Sequence, residues 1–125
     1  MSPEDELTAA AAAGNTDRVI FLLQRGVNVN GVNRFERTPL QVMMMGSTPV
    51  ARLLLERGAD PSARDCTTGA TPLHDAARAG FLETVRVLVE FHADPQATDN
   101  SGYRPVDLAR LDGHQDVVDF LQSVM

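Results

Sequence analysis

The side chains able to do chemistry are few in kind: one cysteine, three histidines and seventeen acids, with eleven arginines and no lysine. Cys66 has no CxxC partner, and no His, Cys or acidic residues share the spacing of zinc ligands, so no metal is expected. There is no G-x-S-x-G, no glycine-rich phosphate loop and no Cys/His pair placed as nucleophile and base. Catalysis and a cofactor are therefore not expected. What remains is recognition by charge and shape, and the acid that draws the eye is Asp75, set among alanines in TPLHDAARAG.

The elements that must hold Asp75 are written around it. Thr71 then Pro72 is a helix N-cap followed by the one helical position where a missing N–H costs nothing. Leu73, Ala76 and Ala77 make a small apolar stripe, and Gly80 stops the helix. Val85, Leu88 and Val89 give a second helix its stripe. A pair this small cannot bury both faces alone.

Copies lie on either side. Aligning on the helix-ending glycine gives Gly14, Gly46, Gly80 and Gly113, at spacings of 32, 34 and 33. Eight residues beyond each stands Leu22, Leu54, Leu88 or Leu121, and the openings Thr38-Pro39-Leu40, Thr71-Pro72-Leu73 and Arg104-Pro105-Val106 recur every 33. Gly26 and Gly58 close second helices where the third copy has His92. A period near 33 with TPLH-x-A is the ankyrin repeat. The expected fold is an all-α repeat solenoid in one domain, 1–125, with repeats near 4–32, 33–65, 66–98 and 99–125. Helix–turn–helix pairs are joined by β-hairpin loops, roughly Val27–Arg37, Ala59–Ala70 and Ala93–Tyr103. The first copy lacks a Thr-Pro start and reads as an atypical cap; the last, with Asp112, Asp116 and Asp119, reads as a polar one. The second copy is a residue short in its first helix, leaving Gln41 to Met45 barely a turn and a half.

Composition fits. No Trp and 5% aromatic residues mean a core of Leu, Val, Ala and Met. The formal charge of −6 argues against a nucleic-acid partner. Residues 1–58 balance six acids with six arginines, so 59–125 carry the whole excess, eleven against five. A lone cysteine fits a reducing compartment, Ser2-Pro3-Glu4-Asp5-Glu6 is acidic where a secretory signal is basic, and no run approaches a membrane span. An intracellular monomer is expected.

Subtracting the scaffold leaves the candidates. Two positions past each opening triplet stand Ala9, Val42, Asp75 and Leu108, so packing did not ask for the acid. The bland reading is a first-turn acid worth about 0.3–1 kcal/mol to its helix; the sharper is a carboxylate facing a partner's arginine. His74 should bond the Thr71 hydroxyl and neighbouring loop backbone. Three consecutive methionines, Met43–Met45, cannot all face inward on a helix, so at least one should point out. Phe35 and Tyr103 are loop-tip aromatics, either packed on their turns or anchors for a partner.

PLQVMMMGSTPVARLLLERGADP, HDAARAGFLETVRVLVEFHADP and RPVDLARLDGHQDVVDFLQ together resemble the four-repeat ankyrin inhibitors of cyclin-dependent kinases 4 and 6, over nearly the whole chain. The shortened repeat with its methionine run and HDAARAGF are the specific parts. The resemblance implies a non-enzymatic inhibitor of cytoplasm and nucleus. It would bind the monomeric kinase beside the catalytic cleft, distort the ATP site, oppose cyclin binding and arrest the cell cycle in G1. By position it implies kinase contacts from Phe35, Gln41, Met43 and Met44, from Asp65, and from Asp75, Arg78, Phe81 and Glu83. Asp75 would pair with a kinase arginine, and Asp17 would add a contact from the first repeat. Ala13 stands where members usually carry arginine. Repeat physics alone would equally serve an adaptor for another protein.

Overall fold

The computed structural model describes residues 1–125 as eight α-helices with no strand. In order they are α1 (Pro3–Ala12), α2 (Thr16–Gln24), α3 (Pro39–Val42), α4 (Thr48–Glu56), α5 (Pro72–Ala79), α6 (Leu82–Glu90), α7 (Pro105–Leu111) and α8 (Gln115–Val124). The chain forms two compact units, Met1–Asp60 with α1 to α4 and Pro61–Met125 with α5 to α8. Each unit holds two helix pairs.

The β-hairpins expected between repeats are absent; the loops are turns. One backbone bond closes each: Asn33 N–H to the Arg37 carbonyl at 2.9 Å, Asp65 to Ala70 at 2.8 Å, Asp99 to Tyr103 at 2.9 Å. A second backbone bond, from Glu36, Gly69 or Gly102, lies inside each turn, and a side-chain oxygen adds further ones. Asn33 Oδ1 accepts from the Phe35 and Arg37 amides, Asp65 Oδ1 from Thr67 and Thr68, and Asp99 Oδ1 from Ser101 and Tyr103. These Asx turns satisfy the backbone that a strand ladder would otherwise have to satisfy.

In the first unit α1 packs on α2 and α3, and α4 packs on α2 and α3. Leu7, Ala11, Val19, Leu40, Val50, Ala51 and Leu54 are fully buried among them. The first copy does have a cap-and-proline start, one turn upstream of the aligned position: Ser2 Oγ accepts from the Asp5 amide at 3.1 Å and Pro3 is the first helical residue. The second copy is more altered than its spacing predicts. α3 lasts four residues, and Met43 leaves it at φ −53°, ψ 154°. Met44 N–H then donates to the Ala11 carbonyl at the end of α1, 2.9 Å away. The methionines are thus not helical, and Gly46 lacks the positive φ of the helix-ending glycines with which it aligns.

In the second unit α5 packs on α6 and α7, and α8 on α6 and α7. Leu73, Ala76, Ala77, Val85, Leu88, Ala109, Val117 and Leu121 are fully buried. Gly80 ends α5 at φ 82°, and a Cβ there would lie 2.5 Å from the His114 imidazole. Glycine is required at that turn by both backbone and neighbour.

Two other residues hold the left-handed conformation without being glycine, Glu36 at φ 62° and His92 at φ 73°. His92 ends α6 where Gly26 and Gly58 end α2 and α4. An L-residue there costs about 1–2 kcal/mol, partly offset by the greater unfolded-state freedom of glycine. His92→Gly should therefore raise the unfolding free energy by about 0.5–1 kcal/mol in urea denaturation. A one-turn helix, capped but held chiefly by its neighbours, opens readily, so α3 amides should exchange with deuterium faster than those of α5. Equal protection of the two would show that α3 is no weak point.

Candidate functional site

Three helices open with the third helical residue reaching back to the N-cap amide, through three different side chains, and at α3 and α5 the N-cap threonine returns the bond. At α3, Gln41 Oε1 accepts from the Thr38 amide at 2.7 Å while Thr38 Oγ1 accepts from the Gln41 amide at 3.3 Å. At α7, Asp107 Oδ2 accepts from the Arg104 amide at 2.9 Å and from Arg104 Nε at 3.2 Å. The Arg104 guanidinium holds the Asp107 carboxyl below the usual carboxylate range. At α5 the partner is His74, fully buried. Its Nδ1 lies 3.1 Å from the Thr71 amide and 2.8 Å from the Thr71 hydroxyl, and its Nε2 lies 2.8 Å from the Tyr103 carbonyl.

An amide N–H only donates and a carbonyl only accepts, so Nδ1 carries the lone pair and Nε2 the proton. His74 is a neutral imidazole. Burial pushes its pKa below the ordinary histidine value, against the opposing pull of the Tyr103 carbonyl. The expected bond to the Thr71 hydroxyl is present, and the loop backbone it reaches is that of the following repeat.

Upon this frame α5 turns Leu73, Ala76 and Ala77 inward and leaves Asp75 and Arg78, one turn apart, exposed to solvent. Arg78 Nε lies 3.8 Å from Asp112 Oδ2 beyond the end of α7. Phe81, N-terminal to α6, is exposed, as is Glu83, whose Oε1 lies 3.7 Å from Arg86 Nε. In the first unit Phe35 is 62% exposed at its loop tip, with the Arg34 guanidinium 5.9 Å from the ring centroid. Met44 is exposed on one side and packs on Gly14 on the other, and Asp17 is exposed in the first turn of α2.

Met43 is a correction. At 3% exposure it belongs to the core, because leaving the helix turns its side chain inward. Gln41 and Asp65 are half-buried, and each uses an oxygen inside the chain, Gln41 on its cap and Asp65 on its turn. What sequence reasoning missed is Leu111, which ends α7 at 66% exposure. With Tyr103, Asp107 and Arg110 it lines an open depression of about 430 Å³. The apolar pattern of α7 counts Leu111 as core; only its position at the end of the helix says otherwise. No group of His, Cys, Asp and Glu could hold a metal ion, and no helix is long and apolar enough to cross a membrane.

Residues 4–65 and 63–124 each match the model of the ankyrin-repeat family. Over 117 residues the chain is 49% identical to cyclin-dependent kinase 4 inhibitor B of Rattus norvegicus, covering 94% of this chain and 90% of that protein. The Homo sapiens protein of that name is 48% identical over 120 residues, 96% and 87% of the two chains. Cyclin-dependent kinase inhibitor 2A of Monodelphis domestica is 48% identical over 121 residues, 97% and 71%. This chain belongs to the ankyrin-repeat family of cyclin-dependent kinase inhibitors. These relatives are named as inhibitors of cyclin-dependent kinases.

In this inhibitor-family chain the neutral His74 makes stability depend on pH. Its folded pKa is depressed below the unfolded value of 6.5, so the unfolded state binds more protons in the window just below that value. Its contribution is present above pH 6.5 and is lost as pH falls from there through the folded pKa. The urea midpoint should decline from pH 7 towards pH 5. His74→Gln, with the side chain that closes the α3 cap, should flatten that slope. An equal slope in both proteins would remove His74 as its source.

Proposed function

We propose that this protein binds cyclin-dependent kinases 4 and 6 as a monomer and inhibits them without chemistry of its own. The reading is supported by close similarity, along both compact units, to proteins named as inhibitors of such kinases. The observation that carries it to particular residues is the exposed side of α5, a rigid helix presenting Asp75 where other copies offer Ala9, Val42 and Leu108. There the carboxylate would receive a kinase guanidinium, a planar donor suited to two parallel bonds. Phe81 would supply an apolar anchor, with Arg78 and Glu83 beside it. Phe35 and Met44 would add contacts from the first unit, and Asp17 a weaker one.

Binding beside the catalytic cleft, opposite the cyclin side, would favour a kinase conformation with rotated lobes and a misaligned ATP site. A ligand shifts an equilibrium only by its differential affinity for the two states, so tight binding to the distorted kinase opposes cyclin binding to the active one. The cellular consequence would be arrest in G1, and the protein would act in cytoplasm and nucleus.

Asp75→Asn tests this directly. Purified kinase 4 or 6 titrated with the variant should bind more weakly by about 2–5 kcal/mol. Circular dichroism should be unchanged, and the unfolding free energy should stay within about 1 kcal/mol, the most a first-turn acid gives its helix. Loss of helix together with binding would make Asp75 a structural acid. Failure of the unaltered protein to bind either kinase would leave an ankyrin adaptor with another client.

A further inference from the structure

We infer that Glu36 is a second acidic contact of the first unit, kept at the tip of the Asn33–Arg37 turn to receive a basic side chain of the partner kinase at some cost to the fold. The inference rests on the kinase-binding reading above. It starts from three turns that are built alike. Asn33, Asp65 and Asp99 each organise one, and each contains a residue in the left-handed region: Glu36 at φ 62°, Gly69 at φ 73° and Gly102 at φ 83°. Two of the three use the residue that the conformation favours.

The Glu36 backbone gains nothing from being glutamate. Its N–H donates to the Asn33 carbonyl at 2.9 Å; Gly102 makes the same bond to Asp99 at 3.0 Å, and Gly69, in a turn one residue longer, makes its counterpart to Asp65 at 2.8 Å. Its side chain is exposed, so packing does not require it either. A non-glycine held in this region at a solvent-facing tip points to a use outside the fold. Its neighbour gives the direction of that use. Phe35 is the more exposed of the two loop-tip aromatics, 62% against 43% for Tyr103, and it precedes Glu36 directly. An exposed ring next in sequence to an exposed acid, with the Arg34 guanidinium 5.9 Å from the ring centroid, suits a further basic side chain whose stem lies on the ring while its charged head meets the acid. Glu36 would then select among partners by charge while Phe35 supplies area.

Two substitutions separate fold from function. Glu36→Gly should raise the urea midpoint and yet weaken kinase binding two- to fivefold, the usual range for an exposed ion pair. Glu36→Gln keeps the Cβ and the strained backbone but removes the charge; it should leave the midpoint unchanged and weaken binding by the same factor. For both, the loss should shrink as salt is raised from 50 to about 500 mM, because an exposed pair is screened. Full-strength binding by either variant, with Asp75→Asn still impaired, would overturn the role of Glu36 alone. No binding by the unaltered protein would overturn both readings. A midpoint that falls in Glu36→Gly would show the glutamate to be structural and would equally end the inference.

Discussion

Everything in this chain depends on how closely backbones can approach across helix pairs. Helices of seven to ten residues are too short to persist on propensity, and their stability must come from burial against neighbours. α1 packs on α3 and α5 on α7, and these helices carry Ala11, Ala76, Ala77 and Ala109, all without solvent exposure. Leu7, Leu40 and Leu73 on the same helices are buried as completely. α3 pushes this to its limit, a single turn that exists because Leu40 is buried and its first amides are capped.

Polar groups then fix register where apolar contact cannot. The cap at the third helical position is served by Gln41, His74 or Asp107, and the turn before each cap by Asn33, Asp65 or Asp99. The same geometry accepts an amide, an imidazole or a carboxylate because all it requires is an acceptor at the right place. His74 does more than the others, since its second nitrogen reaches the Tyr103 carbonyl and couples one pair to the next. With backbone demand met this way, positions such as Asp75, Phe81 and Glu36 face solvent.

Much of this was legible in the residues. The 33-residue period placed all four helix pairs, Leu22, Leu54, Leu88 and Leu121 are buried as their spacing implied, and His92 took the glycine conformation at its slot. The TPLH signature gave the His74 bond. The misses share one cause, backbone behaviour that side-chain pattern does not encode. Met43 leaves its helix, so a methionine expected at the surface is core, and Gly46 is conserved in register but not in conformation. The loops make Asx turns rather than hairpins because one oxygen every 33 residues replaces a ladder, a recurrence visible at Asn33, Asp65 and Asp99 once its use is known. The exposed surface was legible only in part: pattern singled out Asp75 as surplus to packing, but it could not tell Leu111 from a core leucine.

A second turn of the first unit, Asn28–Gly31, is closed by the Gly31 amide on the Asn28 carbonyl at 3.0 Å and carries a chemical weak point. Asn30 Nδ2 donates to the Gly58 carbonyl at 3.0 Å and its Oδ1 accepts from the Asp60 amide at 2.8 Å, bridging the loop to the end of α4. Asn30 is followed by Gly31, the pairing in which a side-chain amide hydrolyses most readily, asparagine being among the thermolabile residues. Ageing to aspartate would keep the acceptor, erase the donor and set an anion against the Gly58 carbonyl. Such a change would loosen the second pair, already the thinnest, at that corner, and would alter the molecule by a single unit of charge.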